Sequence, residues 1–121
     1  MIEMSRQNHI IPIMATQITL SYQKTIREFF SYLAGRVIGK RGYQEFVNIY
    51  VANLNKWIRE YCRTTEIFLL DFEPLLSNRR GFRKLKYSQK DGSHITQAGY
   101  ARLSEFAIPL IKNYILNQEN L

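Results

Sequence analysis

Cysteine is nearly absent. Cys62 is the one thiol in 121 residues, which excludes an internal disulfide framework and cannot by itself assemble a structural zinc site, so the core has to hold by burial. Proline and glycine are scarce, at three and six residues, and this sets aside collagen-like repetition, low complexity and disorder. Long apolar runs are missing too. The longest stretch without a charge, residues 7–23, is interrupted by Asn8, His9, Pro12, Gln17 and Ser21, so no segment reads as a membrane span. Nor does the start read as a signal peptide, because Glu3, Arg6, Gln7 and Asn8 fall where an apolar run is needed. What remains is 45% hydrophobic and 13% aromatic, enough for one compact domain over 1–121 and too short for two.

Acidic residues are the other shortage: ten, against seventeen Lys and Arg, for a net charge of +7. Residues 17–43 hold five basic residues against Glu28, residues 79–90 hold six against no acid, and the remainder is net negative. Nucleic-acid binders usually lay such charge along one helix or interleave it with exposed aromatics on a sheet. Neither pattern is present, so nucleic acid is not an expected partner, and two solvated basic loops are the simpler reading. A non-catalytic basic module for anionic partners is the alternative function this charge would serve.

Residues 1–8 read as the last turns of a helix, with Met1 and Met4 on one face and Asn8 to end it. The run 10–16 lacks alternation and suits a strand buried on both faces of a parallel sheet, with Pro12 at a strand start or an edge. Residues 17–43 form an excursion loop with a short helix expected from Tyr22 to Leu33. Gly35, Gly39 and Gly42 are read as turns, because Gly35-x-x-x-Gly39-Lys40-Arg41 is one residue short of a phosphate-binding loop and lacks its Ser/Thr. Tyr43 to Arg63 is strongly helical. Phe46, Tyr50, Leu54, Trp57 and Tyr61 make an apolar stripe expected in the core, and Lys56 and Glu60 form an i,i+4 pair.

Glu66 to Asp71 is a second buried-type strand, completing a right-handed βαβ unit, and Asp71 at its end is assigned to structure. Pro74 opens a brief helical piece. Thr96 caps a final helix that buries Tyr100, Leu103, Phe106, Ala107, Leu110, Ile111 and Tyr114, with Pro109 expected to kink or divide it near Glu105. Two parallel strands are too few for a closed α/β sandwich. The expectation is therefore the carboxyl-terminal half of a larger α/β domain, or a half completed by another chain, with self-association through the open sheet edge.

One constellation has chemical content: Asp91-Gly92-Ser93-His94. Residues three apart on a tight turn can fold back, so that the carboxylate accepts from Nδ1–H and leaves Nε2 as a base, the His–Asp part of a nucleophilic triad. As local structure alone, Asp-Gly is a common turn and a His ahead of a helix is a solvated side chain. No cofactor or metal motif accompanies it.

The run Lys90-Asp91-Gly92-Ser93-His94-Ile95-Thr96-Gln97-Ala98-Gly99-Tyr100 resembles the terminal motif of the SGNH, or GDSL-type, hydrolases. In that motif an Asp-Gly-x-His turn leads through a Ser/Thr cap and a Gly-Tyr pair into the last helix. Met1 to Thr16 is similar to the family's helix and strand before a variable loop. Asn53 to Ile58, followed by Ile67 to Phe72, is similar to its next helix and strand. The resemblance implies a partial three-layer flavodoxin-like α/β fold, parallel strands with flanking helices, and an ester substrate. It also implies that His94 is the general base and Asp91 its orienting partner.

The family's Gly-Asp-Ser nucleophile and its Gly-x-Asn-Asp oxyanion motif do not occur. None of Ser5, Ser21, Ser31, Ser77, Ser88, Ser93 and Ser104 follows a Gly-Asp pair, and Ser93 is expected to point away from the imidazole. Those motifs precede the matched region in the family, so their absence reads as truncation, and the chain alone is expected to be inactive.

Overall fold

The computed structural model describes residues 2–22 and 26–119. Two short strands, β1 (Ile13–Ala15) and β2 (Phe68–Leu70), pair in parallel with Ile13 opposite Phe68, Met14 opposite Leu69 and Ala15 opposite Leu70. Around them lie α1 (Ile2–Gln7), α2 (Ile26–Val37), α3 (Tyr43–Thr65), α4 (Glu73–Leu76), a 3₁₀ turn at Leu85–Tyr87, and α5 (Gln97–Glu119). Met1, and residues 23–25 at the expected start of the second helix, lie outside the described residues.

Both strands are shorter than expected, because their flanks are used otherwise. Pro12 has no N–H to give to a ladder and sits just before β1. Glu66 adopts a left-handed conformation, φ 55°, and ends α3, with the Ile67 N–H bonded to the Cys62 carbonyl at 3.0 Å. Nor is β1 covered on both faces: Ile13 is 37% exposed, and among the described residues the sheet has two strands only.

Three layers follow from the alternation of side chains along a strand. Met14 and Leu69, neighbours on one face, pack against Ile58, Cys62 and Ile67 at the α3 side. Phe68 points the other way and stacks on Tyr114 of α5, with centroids 4.3 Å apart, while Phe72 meets Phe106. Burial pushes the Cys62 thiol above its ordinary pKa, as expected of a small core hydrophobe.

The largest correction concerns α3. Its buried face is Asn48, Asn55, Ile58 and Cys62, whereas Phe46, Tyr50, Leu54 and Trp57 are 52%, 62%, 44% and 55% exposed. Of the stripe expected in the core, Tyr61 does pack, half-buried, against the cluster of Ile58, Cys62 and Ile67, and the other four lie outside it. The stripe packs on itself, Phe46 edge-on to Tyr50 and Trp57 stacked on Tyr61. The helix is turned by its two asparagines, whose buried amides have partners on the other side. Glu60 also departs from expectation, pairing with Arg63 at 2.6 Å rather than with Lys56.

Gly35 is helical, not a turn. The end of α2 closes with Lys40 N–H on the Gly35 carbonyl (2.7 Å) and Gly39 N–H on the Arg36 carbonyl (3.3 Å), and Gly39 takes φ 71°, a Schellman arrangement. A Cβ on Gly35 would sit 2.9 Å from the Lys40 oxygen. Pro109 does not divide α5, which runs unbroken to Glu119. Glu105 and Pro109 are both exposed, so the carbonyl that loses its donor is near water. Tyr100 is 59% exposed rather than buried, while Leu103 and Ala107 fill the core.

Exposed aromatics and an unpaired strand edge are features that in general favour association. In sedimentation velocity, the apparent mass of the isolated chain should rise with concentration. The double substitution Tyr50→Glu, Trp57→Glu should return it to a monomer with its helicity kept. A sharp monomer at every concentration would refute this.

Candidate active site

Residues 17–20 leave the carboxyl end of β1 with no strand beside them. Asn55, fully buried, accepts from the Gln17 N–H at 2.7 Å and donates to the Gln17 carbonyl at 2.8 Å. Asn48 does the same for Leu20, at 2.7 and 3.1 Å. A carboxamide carries one acceptor and one donor group in the same arrangement as a peptide, so α3 serves as the missing neighbour. The spacing fits: seven helical residues rise about 10.5 Å, and three extended residues about 10 Å.

This segment then holds the turn that bears Asp91 and His94. The Ser21 N–H donates to the Gly92 carbonyl at 3.1 Å, and the Arg83 N–H to the Leu20 carbonyl at 3.0 Å. The Arg83 side chain, 2% exposed, runs inward. Its Nε donates to Ser88 Oγ (3.0 Å), and its Nη2 to the carbonyls of Gly92 and Ser93, each at 2.7 Å. The basic loop is therefore not wholly solvated. Burial draws the Arg83 guanidinium below its ordinary pKa, against the upward pull of the Asp91 carboxylate. Gly92 takes φ 77°, and a Cβ there would meet Ser21 Oγ at 3.0 Å, so the turn needs glycine for both conformation and space.

Within the turn, Asp91 Oδ1 accepts from the backbone N–H groups of Ser93 and His94, each at 3.0 Å, and Asp91 Oδ2 meets His94 Nδ1. An ionised carboxylate can only accept, so the proton of the neutral ring is on Nδ1 and Nε2 holds the lone pair. Nε2 meets no hydrogen-bonding group among the described residues. The ring is 74% exposed and the carboxylate 46%. Ser93 Oγ does not point away as expected but lies 3.5 Å from Nδ1, on the side already taken by Asp91. The bond to His94, with the backbone N–H groups of His94 and Ser93, holds Asp91 well below the usual carboxylate range.

Helix α5 fixes the other end. Thr96 Oγ1 accepts from the Gly99 N–H (3.3 Å) and donates to the Lys86 carbonyl (3.0 Å), a capping bond that also ties the helix to the basic loop. A Cβ on Gly99 would come within 2.4 Å of Ile95 Cγ2, which explains the glycine of the Gly-Tyr pair.

Asp71, by contrast, is consumed by packing. Arg59 grips it with Nε (2.9 Å) and Nη2 (2.7 Å), and Nη2 also reaches Glu73 Oε2 at 2.8 Å. Thr16 Oγ1 donates to Asp71 Oδ1 at 2.9 Å. Burial alone would raise the Asp71 pKa, but these bonds outweigh it and hold the group low. A concavity of about 690 Å³ opens at the opposite pole between Arg6, His9, Ile10 and Tyr114, away from Asp91 and His94. Among the described residues no cluster of His, Cys, Asp and Glu could hold a metal ion, and no helix is long and apolar enough to cross a membrane.

Asn48, Asn55, Ser21 and Arg83 were not singled out by sequence reasoning. The available signals were a pair of asparagines seven apart in a helix, and a basic run too dense to be all surface.

Arg83→Ala would remove the donor to Ser88 Oγ, the side-chain donor to the Ser93 carbonyl and one of the donors to the Gly92 carbonyl, so the unfolding free energy should fall by about 3 kcal/mol. Amide exchange at Gly92 to His94 should rise, whereas an unchanged urea midpoint would show that the turn does not depend on Arg83. Asp91, followed by carboxyl carbon NMR, should stay ionised through about pH 3.9, where free aspartate titrates. A depressed folded-state pKa stabilises the fold above the unfolded value and is lost as pH falls through the folded one. His94→Ala should return Asp91 toward the ordinary range.

No protein-family model matches the sequence, and no curated protein does. Solved structures do. The chain is similar to a protein assigned as an acylhydrolase from Bacteroides fragilis, with TM-score 0.65 and 19% identity over 93% of this chain and 47% of that one. It is similar to a GDSL-like lipase from Bacteroides thetaiotaomicron, with TM-score 0.63 and 17% identity over 93% and 48%. A lipolytic protein of the G-D-S-L family from Desulfitobacterium hafniense matches with TM-score 0.57 and 20% identity over 88% and 47%. At these identities the likeness is one of fold. The chain carries part of the three-layer flavodoxin-like α/β fold of these proteins, and it spans about half the length of each.

Proposed function

We propose that this chain is the carboxyl-terminal half of an SGNH-type ester hydrolase. In this reading it brings the general base His94 and the orienting acid Asp91 to a serine nucleophile and oxyanion donors carried by polypeptide outside these 121 residues. The observation that supports it best is the doubly held Asp91 carboxylate: one oxygen is fixed by two backbone N–H groups and the other meets His94 Nδ1. The fold shared with acylhydrolase and GDSL proteins supports the same reading.

His94 Nε2 takes the proton as a serine Oγ attacks the ester carbonyl, and Asp91 stabilises the imidazolium that forms. The proton then passes to the departing alcohol, and water repeats the sequence on the acyl-enzyme. Oxyanion donors must stand on the far side of the carbonyl. The exposed stripe of α3 and the outer edge of β1 are the surfaces on which a completing polypeptide packs.

On a short activated ester the isolated chain should turn over no faster than free imidazole at equal concentration. Joined to a segment bearing a strand with Gly-Asp-Ser and a Gly-x-Asn-Asp turn, it should gain turnover that His94→Ala abolishes. Asp91→Asn should cost roughly tenfold to hundredfold less than His94→Ala, since the acid orients while the histidine moves the proton. Enzymatic turnover by the isolated chain, lost in His94→Ala, would refute the division of the site between two segments. A completed protein indifferent to His94 would refute the hydrolase reading.

A further inference from the structure

The two basic stretches, separate in sequence, converge in space. Tyr22 sets its ring edge-on against Tyr32 of α2 and Phe82 of the second loop, 4.8 Å from each. Asn48 bonds the carbonyls of both Leu20 and Gly81. Arg80 is thereby brought to Arg41. A concavity of about 250 Å³ is lined by Arg41, Glu45, Asn48, Arg80 and Phe82. A second of about 250 Å³ shares Arg41 and Glu45 and is walled by Arg36, Gly39 and Lys40.

Across these two adjoining concavities, four exposed cations, Arg36, Lys40, Arg41 and Arg80, line walls that share the acid Glu45. The other carboxylate on the rim, Glu73, is held by Arg59 at 2.8 Å. None of the four cations has an ion-pair partner among the described residues. Lys40 and Arg41 are not on a loose loop, since the Gly35–Lys40 bond and the left-handed Gly39 fix where they emerge.

We propose that this cleft is a subsite for a multiply charged, phosphate-class anion, and that in the hydrolase reading it holds the phosphate of a small phosphorylated ester. Four cations against one carboxylate exceed what a single carboxylate ligand would neutralise. Three of the four are arginines, whose planar forks match phosphate oxygens. The segment from Leu20 to Tyr22 joins this cleft to the dyad turn through Ser21 and Gly92. Both lie beyond the carboxyl ends of the strands, where open α/β sheets bind their ligands. Only the identity of the ligand as an ester rests on the hydrolase reading; the anion site does not.

The test is amide NMR of the 121-residue chain titrated with inorganic phosphate, and separately with acetate, at constant ionic strength. Phosphate should give saturable shifts at residues 36–42 and 79–82, with acetate at least tenfold weaker. Lys40→Gln and Arg41→Gln should each weaken phosphate about tenfold. Equal responses to the two anions, or shifts spread to Arg102 and Lys112, would overturn the proposal. So would binding to phosphatidic-acid vesicles without any response to soluble phosphate. In the completed hydrolase, Lys40→Gln should raise KM for a phosphorylated ester and not for its neutral analogue. If phosphate binds but the completed protein hydrolyses no ester, the anion site stands and its assignment to an ester substrate falls.

Discussion

The placement of the site depends on two side-chain amides. Residues 17–20 run beside no strand, so the backbone groups of Gln17 and Leu20 have no ladder to join as the chain passes inward at Thr19 and Ser21, 1% and 2% exposed. Asn48 and Asn55 meet that demand from a single helix face. An unpaired buried peptide group costs about 1–3 kcal/mol, so replacing either amide by an apolar group of equal size would undo the segment rather than loosen it. Everything at the carboxyl edge of the sheet hangs from this arrangement. The Leu20 carbonyl accepts from the Arg83 N–H, the Ser21 N–H donates to the Gly92 carbonyl, and the turn bearing Asp91 and His94 is located by a helix some forty residues earlier in the chain.

The chain has two aspartates and two histidines, and the fold uses each pair asymmetrically. Asp71 is enclosed by Arg59 and Thr16 at the strand ends, where it ties β1, β2 and α3 together. Asp91 is exposed and holds one imidazole. His9 lies at the opposite pole in a left-handed conformation, φ 57°, beside Ile10 and Tyr114, and shares nothing with His94. Depressed carboxylate pKa values occur at both aspartates, so the shift alone does not mark the site. The geometry differs: Asp71 faces an arginine, whereas Asp91 faces an imidazole, the arrangement on which the proposed function rests.

What was legible in the sequence is what short-range geometry decides. The Asp91-Gly92-Ser93-His94 turn and the Thr96 cap are built within three or four residues, so their contacts can be read from spacing. The span of α3 is also local, and its apolar periodicity marks it. Its orientation is not local. Hydrophobic patterning assumes that the most apolar stripe turns inward, yet here the inward face also answers the hydrogen-bonding demand of residues 17–20, and Phe46, Tyr50 and Trp57 are left outside. Arg83 was illegible for a related reason. Six basic residues in twelve look alike in sequence, and only the position of the Gly92 and Ser93 carbonyls selects the one that is buried. Gly35 was misread because a turn and a close helix end both ask for a residue without a Cβ.

Exposure is what separates a dyad from a catalyst. With His94 74% and Asp91 46% exposed, water screens their interaction and solvates any charge that develops nearby, so the electrostatic advantage of the pair is small. The same pair under a low-dielectric cover would act on a substrate with far greater force, because fixed donors and charges need no solvent rearrangement when the reaction occurs. In the proposed reading, the cover and the oxyanion donors arrive together on one completing segment. That segment would bury aromatic surface on α3 as it encloses the dyad, and each such ring can contribute about 1.5–3 kcal/mol when removed from water. Hydrophobic docking of that segment would then drive desolvation of the dyad. In that reading, one docking event would cover both the exposed stripe and the exposed histidine.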